Sequence, residues 1–317
     1  MPELPEVETV VRGLAGKLVG RRITAVRVLH KPSIAGTPAD PACVTGLRVQ
    51  RVFRRAKFIR IELEAGMGMA IHLRMTGWLY ILSLVQHRDT ETQSEKRNSD
   101  LRFAKCDPAA VKSKIENPKS KMPFSASRRL SGDKHLRLWF ELEGGQDVLV
   151  FRDIRTFGRV WCGSARALDK LPAIAQLGPE PLELPLGEFI QRLRARRGRL
   201  KALLLNQKFL AGIGNIYADE ALFAARLHPL ADASRVSARG AAALHRAIRR
   251  ILAAAIKAGG SSISDFLHPD GAQGWFQRKL RVYGREGRPC AQCGEAIKRI
   301  VVGQRGTWFC PRCQRKR

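Results

Sequence analysis

Four cysteines constrain this chain more than any other residues in it. They form two short pairs, Cys290-x2-Cys293 and Cys310-x2-Cys313, with sixteen residues between the pairs. Thiols at that spacing, on two adjacent hairpins, converge into a closed tetrahedral S4 site suited to zinc. A closed site leaves no position for water or substrate, so one structural Zn2+ is expected rather than a catalytic one. Cys43, Cys106 and Cys162 are scattered. That is a metal-site pattern in a reducing cytosol, not a disulfide framework. The module around the thiols, 278–317, carries 12 Lys/Arg against 2 Asp/Glu. The 317 residues leave room for two further domains with cores of their own.

Periodicity divides what precedes the thiols. Val7, Val10, Val11, Leu14 and Leu18 recur at helical spacing, and Gly20 ends the pattern. The spacing predicts a helix over 3–19. Strand-like segments follow at 23–29, 47–53, 58–63, 69–82, 135–142 and 148–152. The first domain, 1–165, is therefore expected to be a helix followed by an antiparallel β-sandwich. Within it, about 85–134 breaks the pattern with 12 Lys/Arg against 7 Asp/Glu. This basic insertion reads as a long loop. A proline-bearing linker, 166–185, precedes helical periodicity at 186–196, 200–206, 215–225 and 237–258. The fold class is thus α+β and multidomain: sandwich, helical domain over 186–277, and finger. A glycine- and serine-rich stretch, Gly259 to Phe266, opens a flexible segment that runs through Gly274.

The N-terminus, Met1-Pro2-Glu3-Leu4-Pro5-Glu6-Val7-Glu8, holds the most reactive candidates. A compact second residue favours removal of Met1, which would leave Pro2 with a free secondary amine. An α-amine has a pKa near ~8, so a useful fraction is unprotonated at neutral pH. Such an amine can attack an electrophilic carbon and form an iminium. Glu3 and Glu6 stand close enough in sequence to move a proton. The same residues also suit a helix start, where proline and carboxylates are favoured. Asn215 opens a helix after the glycine turn at 207–214, where unpaired N–H groups make a phosphate site. Equally, Asn215 reads as a simple cap. Met75, from pattern alone, reads as core. Arg155 and Phe157 in a polar turn have the composition of a DNA-inserting wedge. They also suit an ordinary hairpin. Lys57 follows two arginines on a basic strand edge. Arg305 lies between the cysteine pairs, where a basic side chain can bind a phosphate.

Charge points to the partner. The chain carries 57 Lys+Arg against 28 Asp+Glu, a formal net charge of +29. A soluble protein this basic expects a polyanion, with nucleic acid the default. No apolar run is long enough to span a bilayer, and the acidic start does not read as a signal or transit peptide.

Six motifs, in order, resemble the bacterial formamidopyrimidine-DNA glycosylase family, whose sister is endonuclease VIII. They are the opening Pro-Glu-Leu-Pro-Glu, Arg-Arg-Ala-Lys at 54–57, His-Leu-Arg-Met-Thr-Gly at 72–77, Arg-Thr-Phe-Gly at 155–158, Gly-Ile-Gly-Asn-Ile-Tyr at 212–217, and the four-cysteine finger. The match covers nearly the whole chain except the insertion. Leu4, where the sister branch typically has glycine, favours the formamidopyrimidine branch.

The resemblance implies a bifunctional glycosylase and AP lyase of base excision repair, acting on oxidised or ring-opened purines in double-stranded DNA. It implies Pro2 as nucleophile, Glu3 as proton donor to the sugar ring oxygen, and Glu6 in the proton network. Lys57, His72, Asn215 and Arg305 would hold phosphates. Met75, Arg155 and Phe157 would fill the void left by the everted base. Ser261, Ser262, Ile263, Ser264, Asp265 and Phe266, continuing to Gly274, would close as a lid. A helix–two-turns–helix and zinc finger would clamp the DNA. The protein is expected to be a cytoplasmic monomer, associated with the nucleoid when on DNA. Asn206 departs from the aspartate usual before the glycine turn. Two other readings stay open: a catalytically silent binder of damaged DNA, and an endonuclease VIII-like enzyme for oxidised pyrimidines. On any of the three, affinity for duplex DNA should fall steeply as salt rises, because phosphate neutralisation releases counterions. Binding titrations at several salt concentrations check this, and a flat response would count against a nucleic-acid partner.

Overall fold

The computed structural model describes residues 2–36, 40–84, 132–261 and 274–316. The basic insertion expected at about 85–134 and the expected lid lie almost wholly outside the described residues.

Helix α1 (Leu4–Leu18) starts where Glu3 and Glu6 cap it, with the Glu3 N–H donating to Glu6 Oε2 at 2.9 Å. Proline in the first turn costs nothing there, because that N–H has no helical partner. Among the described residues, eight strands follow and form two antiparallel sheets. One sheet runs β1 (Ile23–Val28), β6 (Leu136–Leu142), β7 (Asp147–Asp153), β5 (Gly77–Ser83). The other runs β2 (Val49–Arg55), β3 (Phe58–Leu63), β4 (Met67–His72), β8 (Arg159–Ser164). Ile59, Ile61, Met69 and Ile71 from one sheet meet Leu138, Phe140, Leu149 and Phe151 from the other in one buried core. Val7, Val10, Leu14 and Leu18 of α1 join the same core.

The strand expected over 69–82 is two strands in different sheets. After β4 the chain turns at Arg74, which has φ 55°, and Gly77 N–H donates to Leu73 O at 2.9 Å. A Cβ on Gly77 would lie 2.4 Å from that carbonyl oxygen, so only glycine closes the turn. Alternation of apolar residues cannot register such a switch, because the pattern resumes on the other side. Strand β8 also escaped the periodicity, being short and bounded by Gly158 and Ser164.

Between the sandwich and the helical part, the stretch expected as a linker contains two short helices, α2 (Ala165–Asp169) and α3 (Pro172–Ala175). It then makes a dense ionic contact. Glu180 accepts from Arg54 at 2.7 Å, from Arg55 at 2.9 Å and from the Ala56 N–H at 2.7 Å. Arg54 also reaches Glu8 of α1 at 3.0 Å. The two arginines of the Arg-Arg-Ala-Lys motif therefore fasten the β2–β3 turn to the following segment.

The second core is helical: α4 (Leu186–Arg194), α5 (Leu200–Leu205), α6 (Asn215–Ala224) and α7 (Ala238–Lys257). Leu4 is buried here with Leu204, Phe209, Ile213 and Tyr217, not in the sandwich. So α1 belongs to both cores. Last comes the hairpin β9 (Lys298–Val302) and β10 (Arg305–Phe309), joined by Gly303 and Gln304 with φ of 55° and 60°. Positive φ at both central residues is what a tight two-residue hairpin needs. No described helix is long and apolar enough to cross a membrane.

The Arg54 and Glu180 side chains are 8% and 11% exposed, so Glu180→Ala leaves a nearly buried guanidinium short of a partner. It should destabilise the protein by about 3 kcal/mol. Urea unfolding of the two proteins side by side measures it.

Candidate active site and nucleic-acid interface

The site is built around the two N-terminal carboxylates. Glu3 is 3% exposed and Glu6 is 2% exposed. Burying a carboxylate is tolerated only when donors surround it. Glu3 accepts from the Gly214 N–H at 2.8 Å and the Ile216 N–H at 3.0 Å, with the Tyr217 N–H at 3.5 Å. These are the free N–H groups at the start of α6, where the helix dipole also favours an anion. The chain must be glycine at 214, because a Cβ there would sit 2.3 Å from Glu3 Cδ. Glu6 Oε1 accepts from Tyr217 Oη at 2.6 Å, the Ser261 N–H at 2.7 Å and Ser261 Oγ at 3.1 Å.

Burial pushes the Glu3 carboxyl above its ordinary pKa, with Lys57 opposing that rise and Glu6 adding to it. A carboxyl raised in this way keeps its proton to higher pH than an exposed one, which suits a proton donor. Lys57, 6% exposed, is driven the other way by burial, and Arg305 adds to the fall while Glu3 and Glu6 resist it. Pro2 is buried and immediately precedes Glu3.

Glu3, Lys57, His72, Met75, Asn215 and Arg305 line one cleft of about 530 Å³ between the sandwich, the helical part and the finger. The residues are up to 302 positions apart in the chain, taking Glu3 and Arg305 as the extremes. Each arrives by a definite route. Lys57 sits on the β2–β3 turn, tightened by a positive φ at Ala56. His72 ends β4, with its Nδ1 accepting from the Arg74 N–H at 3.0 Å. That bond leaves the neutral ring's proton on Nε2, so His72 remains a donor without charge. Burial, helped by Arg74 and Lys57, lowers its pKa to about 3. Met75 is half-buried and lines the cleft, so the core assignment drawn from its pattern is corrected: the turn at Arg74 carries it out of the sheet.

Arg155 and Phe157 do not line this cleft. They are exposed on the neighbouring β7–β8 turn, Phe157 at 53%. Asp153 ties that turn to Met75: it accepts from Thr76 Oγ1 at 2.6 Å, the Arg155 N–H at 3.2 Å and the Gly158 N–H at 2.6 Å. Of the expected lid, Ser261 is described and bridges to Trp275. Ser262, Ile263, Ser264, Asp265 and Phe266 lie outside the described residues.

Helix α6 also carries the finger. Asn215 Nδ2 donates to Gly306 O at 2.9 Å, and one turn later Asp219 accepts from the Trp308 N–H at 3.1 Å. Glu220 accepts from the N–H groups of Val282 and Tyr283, each at 2.9 Å. Asp219 pairs with the fully buried Lys201 at 2.5 Å. Burial raises the carboxyl and lowers the amine, each restrained by its partner. Asp219, Glu220, Lys201, Asp153 and Glu180 were not singled out by the sequence, and Thr76 and Tyr217 stood in quoted motifs without a role. A signal existed: two adjacent carboxylates inside the otherwise apolar Ile216–Phe223 stretch. Asn206, the departure noted above, uses its Oδ1 to accept from the Lys208 N–H at 3.0 Å, as an aspartate would.

The four thiol sulfurs lie within 4.8 Å of one another. Three of the separations are 3.9 Å, 3.5 Å and 3.5 Å. A tetrahedron with Zn–S bonds of about 2.3 Å has edges of about 3.8 Å. Disulfide sulfurs would stand at about 2.0 Å. The N–H groups of Gln292 and Cys313 point at the Cys290 and Cys310 sulfurs at 3.4 Å each, as thiolates held for a metal require. The residues therefore fit a zinc ion.

A buried acid at a helix start, a cationic cleft around it and a hairpin with a four-thiol cluster at its base define a class of protein built to grip a polyanion around a proton donor. Comparison with known proteins narrows this. Residues 1–160 match the formamidopyrimidine-DNA glycosylase N-terminal domain, 177–267 the H2TH domain of the same enzymes, and 287–315 the zinc finger found in FPG and IleRS. The formamidopyrimidine-DNA glycosylase of Pelotomaculum thermopropionicum is 39% identical, with 99% of each chain covered. That of Chloroflexus aggregans is 40% identical over 99% of this chain and 98% of its own. The crystal structure of MutM (Fpg) from Thermus thermophilus superposes with a TM-score of 0.77 at 36% identity, covering all of both chains. Lactococcus lactis Fpg in complex with abasic-site DNA gives 0.78 at 30% identity, over 99% of this chain and all of that one. The chain belongs to the formamidopyrimidine-DNA glycosylase family.

His72 generates a pH prediction. Its folded pKa of about 3 lies below the ordinary 6.5, so between those values the unfolded chain binds the extra proton. Its contribution to stability is complete above pH 6.5 and is lost as pH falls towards 3. His72→Gln should therefore flatten the decline in stability over that interval, as read by urea midpoints at a series of pH values.

Proposed function

We propose that this protein is a bifunctional DNA glycosylase and AP lyase of base excision repair that removes oxidised or ring-opened purines, such as 8-oxoguanine and formamidopyrimidines. The observation that carries the reading is Glu3, a buried carboxyl with a raised pKa, clasped by the α6 N-terminus directly after Pro2. With Met1 removed, the Pro2 amine attacks C1′ of the damaged nucleotide. A bond forms from nitrogen to C1′, and the base leaves with the glycosidic electron pair and takes up a proton. Glu3 gives its proton to the sugar ring oxygen, the ring opens, and an iminium joins Pro2 to C1′. The iminium draws electrons from C2′, whose proton is lost as the 3′ phosphate departs. A second elimination releases the 5′ phosphate and leaves a one-nucleotide gap.

Duplex DNA hides C1′, so the nucleotide must first be extruded at a cost of a few kcal/mol. Lys57, His72, Asn215 and Arg305 are proposed to hold the flanking phosphates, and Met75, Arg155 and Phe157 to fill the gap in the stack. Glu6 joins the N-terminal helix to Ser261 and is proposed to support the proton network and the lid at 261–274. One zinc ion, on Cys290, Cys293, Cys310 and Cys313, would fix the hairpin bearing Arg305 and take no part in the reaction. The working divisions are 1–165 for the catalytic sandwich, 166–185 for the linker, 186–277 for the helix–two-turns–helix domain and 278–317 for the finger. The protein is read as a cytoplasmic monomer that joins the nucleoid on its substrate.

Borohydride trapping tests the reading. The protein should form a covalent adduct with a duplex carrying one 8-oxoguanine opposite cytosine, and peptide mapping should put the link on Pro2. Pro2→Gly should lose the excision-coupled adduct, and Glu3→Gln should slow trapping by about 10²- to 10⁴-fold. Tight, salt-sensitive binding without any adduct would favour the silent damage-binder instead. An adduct only on oxidised pyrimidine would assign the sister specificity.

A further inference from the structure

A second basic cleft, of about 710 Å³, lies at the far side of the finger. Arg226, Arg235, Arg239, Arg312, Arg315 and Lys316 line it, against one carboxylate, Asp232. The catalytic cleft holds three cations, Lys57, Arg74 and Arg305, against the Glu3 carboxylate. All six cations of the second cleft are exposed. None of them is in an ion pair among the described residues. Asp232 stays ionised, held by the Ser234 N–H at 2.9 Å and Ser234 Oγ at 2.6 Å, and one carboxylate beside Arg235 leaves five of the six positive charges unbalanced.

The two clefts share no lining residue. They sit at opposite ends of one strand. Arg305 opens β10 at the catalytic cleft, and Phe309 closes it by stacking edge-on against His228, which lines the second cleft. Four residues of strand separate the ends by about 13 Å. The two groups of cations therefore line separate clefts rather than one continuous lining.

Six like charges converging on one cleft repel one another, and an unpaired cluster of that kind is stabilised by a polyanion. The floor is rigid enough to present them. Gln314, fully buried, donates to Leu227 O at 2.8 Å and accepts from the Cys310 N–H at 2.9 Å, so the chain end carrying Arg312, Arg315 and Lys316 is fastened to the helical part. We propose that this cleft binds the phosphate backbone of a second segment of duplex DNA while the first occupies the catalytic cleft, so that one molecule bridges two segments. Contacts to phosphate alone carry no sequence information, so the second segment needs no lesion.

The test uses the full chain. A short 8-oxoguanine duplex is trapped on the protein with borohydride, which fills the catalytic cleft. A fluorescent, lesion-free duplex is then titrated in at low salt, and its anisotropy and co-migration with the adduct are followed. The trapped complex should bind the second duplex. The triple variant R226E/R239E/R312E should trap the first duplex as well as the parent does, yet bind the second at least about tenfold more weakly. Its salt slope for the second duplex should be shallower by about 3 for three lost phosphate contacts. Failure of the parent complex to bind a second duplex, or equal binding by the variant, overturns the proposal. So does polyglutamate binding to the trapped parent complex where DNA does not, which would assign the cleft to an acidic protein segment. Trapping yield is scored separately, so failure of the glycosylase reading remains distinguishable from failure of the second site.

Discussion

Everything in the site depends on the burial of Glu3 against the start of α6. The carboxylate cannot leave water unless Gly214, Ile216 and Tyr217 offer their N–H groups, and those N–H groups have no helical partner of their own. Each side satisfies the other. Because Glu3 begins a helix whose body lies in the sandwich core, while α6 lies in the helical core, the bond also joins the two halves. Leu4 reinforces the seam by packing beneath Gly212, whose φ of 91° and missing Cβ let the turn pass within contact distance. Forming the proton donor and docking the two halves are therefore one event. A loosened seam would hydrate Glu3, remove the burial that raises its pKa, and leave less of it protonated to serve as a donor.

The same helix then sets where the finger points. Helix α6 presents Asn215, Asp219 and Glu220 to two backbone stretches of the C-terminal module, β10 and the segment at 281–283. Gly306 O and the Trp308 N–H belong to β10, which pairs with β9 along one edge only. Side chains of α6 thus occupy hydrogen-bonding groups that an exposed strand edge would leave open. The thiols hold the base of the hairpin, and α6 holds its edge. Arg305 is exposed between those two restraints and still lines the cleft with Lys57. The burial of Lys201 with Asp219 fits this role. An ion pair in an apolar interior contributes little net stability, but a misplaced partner there is costly, so it favours one register over its neighbours.

How much of this could be read in the sequence follows from the range of each interaction. The thiols were legible because all four ligands fall in one short stretch and their chemistry admits few alternatives. Helix α1 was legible because its apolar residues keep one period throughout. The break between β4 and β5 was not, since Arg74 adopts a positive φ that the apolar pattern does not encode. Tyr217 and Glu180 escaped for a different reason. Tyr217 meets Glu6 across 211 residues, and Glu180 meets Arg54 across 126. Nothing local distinguishes a tyrosine that will hold a buried carboxylate from one that simply fills a core. The N-terminal motif named the candidates Pro2, Glu3 and Glu6; only the fold supplies the burial that raises the Glu3 carboxyl and the N–H groups that make that burial tolerable.

Phe157 makes the same point from the surface. An aromatic ring 53% exposed gives up stabilisation that burial would provide, and the turn around it offers the ring no cover. The turn is nonetheless stiff. Asp153, itself fully buried, fixes the Arg155 and Gly158 N–H groups, and its carbonyl accepts from Arg137 Nε at 2.7 Å. Thr76, bonded to the same carboxylate, brings Met75 alongside. A side chain held outward on a rigid base loses little further freedom when it enters a gap between bases, so more of the contact energy is available to offset unstacking. On the proposed reading, the exposed ring and the buried aspartate are two halves of one device. Loss of Asp153 would leave the ring in place chemically and yet blunt it, because the ordering would then have to occur during insertion.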